Sequence, residues 1–270
     1  MKNLKEDLKD FFEQIKKSIF RHGKPTYNSN RGMAIIGNVF LHIHPKKLPR
    51  FATKYSYTWG MGGIAFLLFL IEVVTGILLM FYYHPTTQNA YMDMKSLQFD
   101  VPLGIFIRNM HRWTAHLMVI VVWLHMFRVF MTGSYKKPRE FNWGIGVILL
   151  VLTLLMSFTG YLLPWDQLSI WAITVGTNMA ASIPFIGYEG PFSSLLGVTI
   201  NNDIRFLLLG GTSINESTLL RFYVLHCVAI PFIMCFILAI HFWRIRKDGG
   251  ISTPKNLRQK EKHTGDLLKK

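Results

Sequence analysis

Four long apolar segments alternate with polar and basic stretches along the chain. They cover residues 59–83, 105–130, 144–163 and 219–243, and we call them spans A, B, C and D. Each approaches or exceeds the roughly 20 apolar residues that an α-helix needs to cross a bilayer. The pattern therefore predicts an all-α membrane protein built on a bundle of four transmembrane helices.

A different pattern occupies the first 20 residues, where apolar positions recur at helical spacing among lysines and acids. These positions are Leu4, Leu8, Phe11, Phe12, Ile15 and Ile19. The spacing predicts an amphipathic helix that lies on the membrane surface or packs on a partner subunit. We expect three regions: a surface helix and membrane-surface segment at 1–58, a four-helix domain at 59–243, and a basic tail at 244–270.

The distribution of charge predicts the orientation of these spans. The 270 residues include 30 Lys and Arg against 15 Asp and Glu, a formal net charge of +15, and half of the residues are hydrophobic. Twelve Lys or Arg lie in residues 1–58, four in 128–143 and nine in 244–270. By the positive-inside rule, both termini and the B–C connection face the cytoplasmic, electronegative side. A nucleic-acid partner is not expected, because the basic residues lie between apolar runs.

Spans B and D each carry two histidines at nearly the same spacing. His111 and His125 are 14 residues apart in span B, and His226 and His241 are 15 apart in span D. Fourteen helical residues cover roughly 21 Å along the axis and about 40° of rotation, so each pair lies on one face. Ionisable residues inside a span are functional-site candidates. Axial ligation of haem iron takes a neutral imidazole on each side, so two such helices predict two bis-histidine haem sites.

The predicted topology decides how these histidines pair. Spans B and D are alternate spans and therefore run in the same direction. His111 then faces His226 near the electropositive side, and His125 faces His241 near the cytoplasmic side. The opposite pairing would require ligands to meet across most of the thickness of the membrane.

Spans A and C lack such histidines but carry glycines at the same 14-residue spacing. These glycines are Gly62, Gly76, Gly146 and Gly160. Glycine allows close approach of a backbone, which a flat macrocycle in a helical bundle requires. Glu72 lies four residues before Gly76, hence near the haem-facing side of span A, where a carboxyl group could tune a haem or be protonated. His116 is expected to be a core or interface residue rather than a ligand.

The motifs around these residues resemble the N-terminal half of cytochrome b, and more closely the short, four-span cytochrome b6 type. The resemblance runs from Tyr57 to Pro254. The matching stretches are MGGI (61–64), TGILLMFYYHPT (75–86), RNMHRW (108–113), LHMFRVFMTG (124–133), KKPREFNW (136–143), TGYLLPWDQ (159–167), STLLRFYVLH (217–226) and HFWRIRKDGG (241–250). The Thr177-Asn178 pair instead resembles the long, eight-span form.

The resemblance implies roles for further residues. Arg108 and Arg112 resemble arginines near the propionates of the first haem, and Arg139 and Arg246 stand where basic residues serve the second. A carboxylate at the edge of a low-dielectric core requires a charged partner. The family oxidises quinol on the electropositive side, and Pro164–Gly187 would form one wall of the quinol pocket.

Cofactors and partners also follow from the resemblance. It implies two non-covalent haem b groups, with quinol as substrate. Gly60 stands where b6-type proteins with an extra covalent haem place a cysteine, so that haem is not expected here. The Pro-Glu-Trp-Tyr-type motif does not occur in this sequence, which implies a separate subunit carrying the C-terminal half of cytochrome b. The other implied partners are a Rieske-type iron–sulfur protein and a c-type cytochrome, in a dimeric complex of a bacterial energy-transducing membrane.

The expected function is that of a di-haem cytochrome b subunit of a quinol:cytochrome c (or similar acceptor) oxidoreductase. Such a chain forms part of an enzyme and is not one alone. One alternative is a di-haem membrane anchor that passes electrons between quinone and a peripheral dehydrogenase, which the glycine pairs and TGYLLPWDQ disfavour. Another is a haem-free assembly or scaffold protein, which would bind no iron porphyrin.

Overall fold

A computed structural model describes residues 4–19 and 54–248. Regular structure in these ranges is helical, and they contain no β-strand. The helices are α1 (Leu4–Ile19), α2 (Tyr55–Thr58), α3 (Met61–Met80), α4 (Ala90–Phe99), α5 (Gly104–Met131), α6 (Glu140–Leu162), α7 (Gln167–Ala180), α8 (Ile204–Leu209) and α9 (Glu216–Lys247), with a 3₁₀ turn at Ser193–Leu196. Among them α3, α5, α6 and α9 are long and apolar enough to cross a membrane. The predicted all-α architecture with four transmembrane helices is therefore confirmed.

The predicted N-terminal helix is present as α1. Its apolar residues Leu8, Phe11 and Phe12 are exposed, and the two phenyl rings make an edge contact with centroids 5.9 Å apart. The proposed location of α1 on the membrane surface stays a prediction. Most of the membrane-surface segment and most of the basic tail lie outside the described residues, and the predicted division of the chain into three regions is not tested.

The folded chain forms two compact units, and each draws on all four long helices. The described residues of unit 1 that belong to these helices and their connections are 54–64, 121–150 and 235–248. Unit 2 consists of residues 65–120 and 151–234. His125 and His241 belong to unit 1, whereas His111 and His226 belong to unit 2. Each unit therefore contains the two histidines of one predicted pair, and their pairing as haem ligands stays a prediction.

The core of unit 2 forms where short helices pack on the ends of the long ones. Leu162, Ile173 and Phe222, from α6, α7 and α9, make one buried cluster. The start of α7 is stabilised by Asp166, whose carboxylate accepts hydrogen bonds from the backbone N–H and the hydroxyl of Ser169, both at 2.8 Å. Such a cap satisfies a backbone donor that the first helical turn leaves open. The cap thus positions the segment that was predicted to line the quinol pocket.

One turn of α9 departs from α-helical geometry at a histidine. Residues Leu225–Ala229 form a π-helical turn that contains His226, and Pro231 follows two residues after its end. A π turn closes its hydrogen bonds over one residue more than an α turn, and such turns often occur at functional sites. This extra residue accounts for the 15-residue spacing of His226 and His241, against 14 residues for the pair in α5.

Candidate functional site

The imidazoles of His111 and His226 face each other in unit 2. Their ring centroids are 6.2 Å apart, and the ring planes are inclined by 81°. Two imidazoles that ligate one metal from opposite sides, each with a metal–nitrogen distance of about 2 Å, have ring centres about 6 Å apart. The two side chains therefore have the separation that a shared metal ion requires.

Threonine hydroxyls determine which ring nitrogen of each histidine can ligate. Thr75 Oγ1 lies 2.9 Å from His111 Nδ1, and Thr159 Oγ1 lies 3.2 Å from His226 Nδ1. Each hydroxyl donates its single hydrogen to a carbonyl of its own helix, at 2.7 and 2.8 Å. The hydroxyl oxygens therefore accept from Nδ1–H, and we assign the Nδ1-protonated tautomer to both rings. This tautomer leaves Nε2 with a lone pair for a metal.

A carboxylate also contacts His111. Glu72 Oε2 lies 2.9 Å from His111 Nδ1, and 17% of the Glu72 side chain is exposed. The other oxygen, Oε1, is buried and has no hydrogen-bond partner within the described part of the chain. The expectation that Glu72 faces the predicted haem site from span A agrees with this contact.

Each of the four predicted glycines lies beside one of the four histidines. A Cβ atom built on Gly76 would be 3.4 Å from His111 Cε1, and one on Gly160 would be 2.5 Å from His226 Cε1. In unit 1, the corresponding distances are 3.6 Å from Gly62 to His125 and 3.9 Å from Gly146 to His241. Real Cβ atoms essentially never make contacts under 3.0 Å, so Gly160 leaves space that a side chain would occupy.

The second histidine pair predicted from the sequence, His125 and His241, belongs to unit 1. Each of these two rings lies beside a glycine of a neighbouring helix. His241 Nδ1 is buried and has no hydrogen-bond partner among residues 54–248 or in α1. A buried polar atom without a partner is costly, and the packing around His241 must offset that cost. In the described ranges no group of three or more His, Cys, Asp or Glu could hold a metal ion.

Two buried arginines close in sequence to His125 and His241 were not among the arginines that the sequence predicted for haem binding. Arg128 follows His125 by three residues and is 7% exposed. Its guanidinium donates a hydrogen bond to the Tyr57 carbonyl at 3.2 Å, and its Cζ lies 4.6 Å from the centroid of the Tyr57 ring. Arg244 follows His241 by three residues, is fully buried and pairs with Asp248 at 3.2 Å. The i, i+3 spacing, which puts both residues on one helix side, is the sequence signal that could have found them.

The arginines named from the resemblance lie in more open positions. Arg108 is half-buried and donates to Gln98 Oε1 at 3.3 Å, and Arg112 is exposed. In unit 1, Arg139 donates to the Asp248 carbonyl at 3.2 Å, and Arg246 is half-buried. Their predicted contacts with haem propionates stay predictions.

The sequence predicts that His116 is a core or interface residue rather than a ligand, and that Gly60 replaces the cysteine of a covalent haem site. His116 is exposed on α5 and makes an edge contact with Trp113, with ring centroids 5.8 Å apart. It is therefore not a core residue of this chain, and the interface alternative remains. Gly60 has a φ of +64°, a conformation that disfavours a cysteine.

The segment predicted as one wall of a quinol pocket lines two open cavities of unit 2. A cavity of about 430 Å³ is bounded by Tyr91 and Trp165–Leu168. Another of about 240 Å³ lies between α7 and α8 and includes Thr177, Asn178 and Arg205. Small-molecule sites measure about 300–1,000 Å³. The first cavity falls within this range, and the second is smaller.

Four helices long and apolar enough to cross a membrane, with candidate haem-ligating histidines among them, indicate an integral membrane protein. The sequence model of the family described as Cytochrome b/b6/petB matches residues 48–249. The chain belongs to the cytochrome b/b6 family. Members of this family bind b-type haems.

Individual relatives support the same conclusion. The chain is 44% identical to cytochrome b6 of Gracilaria tenuistipitata var. liui, over 72% of this chain and 83% of the relative. It is 40% identical to cytochrome b6 of Heliobacterium mobile, over 81% of this chain and 95% of the relative. A solved chain of a hyperthermophilic respiratory Complex III superposes with a TM-score of 0.65 at 28% identity, covering 83% of this chain. This chain spans about half (54%) of the length of that Complex III chain.

The chain is a cytochrome b6-like subunit of a cytochrome bc/b6f-type complex, which implies electron transfer. Such assemblies are oxidoreductase complexes of several subunits, so the chain is part of an enzyme and has partner subunits.

Proposed function

We propose that the chain is the di-haem cytochrome b subunit of a quinol:cytochrome c (or similar acceptor) oxidoreductase, and that it relays electrons across the membrane between two bis-histidine b haems. The observation that carries this proposal is the 6.2 Å separation of the His111 and His226 rings. Both Nδ1–H groups are engaged by hydroxyls, so both Nε2 atoms are available as ligands.

His111 and His226 would hold one haem, and His125 and His241 the other. A haem bound at such a pair supplies one-electron redox chemistry. The residues of this chain hold the imidazoles in the ligating tautomer, through Thr75 at His111 and through Thr159 at His226. Glycines beside the ring edges leave room for a macrocycle.

Basic residues would bind the haem propionates. The candidates are Arg108 and Arg112 for the first haem, and Arg128, Arg139, Arg244 and Arg246 for the second. The burial of Arg128 and Arg244 supports their inclusion, because a guanidinium in a low-dielectric setting is stabilised by a carboxylate partner.

The quinol site would be shared with other subunits. Residues 164–187 would form one wall on the electropositive side, and both termini would face the cytoplasm. A separate subunit carrying the C-terminal half of cytochrome b would supply the remaining wall. A Rieske-type protein and a c-type cytochrome would receive electrons within a dimeric complex of a bacterial energy-transducing membrane.

A redox titration of the purified complex tests this proposal, together with a pyridine haemochrome assay. Two non-covalent b haems are expected in the wild type. His111→Ala and His125→Ala should each remove a different haem. His116→Ala is the matched control, because this histidine lies on the same helix between the two and should leave both haems in place. A single haem in the wild type, or a ligand variant that keeps both, would overturn the proposal and favour a dehydrogenase anchor or a scaffold protein.

A further inference from the structure

An ionisable side chain contacts one of the proposed haem ligands from within a spanning helix. Glu72 belongs to α3, and its Oε2 lies 2.9 Å from His111 Nδ1. A carboxyl group inside a membrane span is expensive, and it persists where it has a functional partner. The other carboxyl oxygen, Oε1, is buried and has no hydrogen-bond partner in the described ranges.

The position that corresponds to Glu72 on the opposite side of the site is apolar. Helices α3 and α6 each present a Thr-Gly pair to a histidine, Thr75-Gly76 and Thr159-Gly160. Four residues before the glycine, α3 carries Glu72 and α6 carries Met156. His226 is therefore engaged by a neutral acceptor, the hydroxyl of Thr159. The single Nδ1–H of His111 is instead shared between two acceptors, the Thr75 hydroxyl and the Glu72 carboxylate.

We infer that Glu72 is a positioning residue that orients His111 and lowers the midpoint potential of the haem held by His111 and His226. This inference rests on the proposed function. The physical reason is the nature of the hydrogen bond. A bond from N–H to a carboxylate is roughly twice as strong as one to a neutral acceptor, and such a bond to the second nitrogen of a ligating histidine raises the basicity of the ligand.

The direction of the effect follows from charge. A more basic Nε2 donates more electron density to the iron, and the carboxylate places negative charge beside the site. Both effects stabilise the oxidised, more positive iron relative to the reduced iron. The potential of this haem is therefore expected to fall, and the effect is expected at the haem whose ligand Glu72 contacts.

Redox titration of the purified complex with substitutions at two matched positions tests the inference. Glu72→Gln keeps the size and one hydrogen-bond acceptor but removes the charge, and Glu72→Leu removes both. We expect each to increase the equilibrium constant for reduction of the His111–His226 haem at least tenfold, which is 59 mV for a one-electron couple. The potential of the other haem should not change. Met156→Leu, the control at the corresponding position beside His226, should change neither potential by more than twofold in equilibrium constant.

Each outcome bears on the inference. Two bound haems with unchanged potentials in Glu72→Gln would overturn it, as would an equal shift in Met156→Leu, which would indicate a packing effect. If Glu72→Gln and Glu72→Leu lose the His111–His226 haem, their potentials cannot be compared. The variant Glu72→Asp, which keeps a carboxylate, is then the deciding test. Retention in Glu72→Asp supports a carboxylate that positions His111, and loss there as well overturns a redox role. A wild-type protein without two haems would instead refute the proposed function.

Discussion

The imidazole of His226 lies directly against the backbone of Gly160. A Cβ atom at residue 160 would be 2.5 Å from His226 Cε1 and 3.1 Å from both ring nitrogens. Gly160 is part of α6 and His226 lies in the π turn of α9, so any side chain here would displace a proposed ligand.

Gly160→Ala is therefore expected to remove one of the two haems, because a ligating ring cannot keep its place against the added methyl group. Pyridine haemochrome content per protein should fall to about half. Gly144→Ala is the control, since Gly144 lies in the same helix and a Cβ there meets nothing within 4 Å. Full haem content in Gly160→Ala would contradict the close contact.

The buried pair of Arg244 and Asp248 should be sensitive to removal of either partner. Both side chains are at most 1% exposed, and their charged atoms lie 3.2 Å apart. Breaking a buried pair by removing one charge costs about 3–5 kcal/mol, whereas removing both costs much less. Asp248→Ala should therefore lower the apparent Tm of the purified protein more than the double variant Arg244→Met/Asp248→Ala does. A double variant that is less stable than the single one would show that the pair does not act in this way.

Arg128→Met should change the properties of one haem. Its guanidinium lies one turn after His125 and is buried. Removal of a positive charge near an iron centre favours the oxidised state. We expect the midpoint potential of the His125–His241 haem to fall by about 60 mV, a tenfold change in the reduction equilibrium. The sign is opposite to that expected for the neutral variants of Glu72. Arg221→Met, in unit 2, serves as the control and should leave this haem unchanged.

The stability of unit 2 should fall at alkaline pH because of Tyr83, which lies outside the spanning helices. Its hydroxyl donates to the Leu163 carbonyl at 2.7 Å. Burial, together with nearby Cys227, Asp93 and Tyr223, raises the pKa of Tyr83. The folded-state pKa therefore exceeds the usual value of about 10. The contribution is fully present below about pH 10 and is lost as the pH rises toward the folded-state pKa.

Tyr83→Phe tests this relationship. At neutral pH the variant should lose about 1 kcal/mol, the worth of one hydrogen bond. Between about pH 9 and about pH 11, its apparent Tm should fall less than that of the wild type, since phenylalanine has no proton to lose. Tyr82→Phe is the control, because Tyr82 is 44% exposed. Equal alkaline slopes for the wild type and Tyr83→Phe would refute the assignment to Tyr83.

The sequence by itself was sufficient for the four transmembrane helices, and it predicts a grouping of the histidines. A bilayer imposes a length and a composition on each span, and these constraints are readable in one dimension. The direction of alternate spans then decides that His111 groups with His226 and His125 with His241. The glycine spacing likewise predicted which backbones lie beside the rings, because the repeats match those of the histidines.

Only the tertiary structure decided the polar surroundings of each ring. The contact of Glu72 with His111, the burial of Arg128 and Arg244, and the hydroxyl hydrogen bonds that select the tautomers depend on side-chain positions set by helices distant in sequence. The π turn at Leu225–Ala229 was also visible only in the structure. It inserts one residue beside His226, and a regular periodicity of 100° per residue does not predict such an insertion. Periodicity predicts which face of a helix a residue occupies, whereas the distances that set ligand chemistry arise from packing between helices.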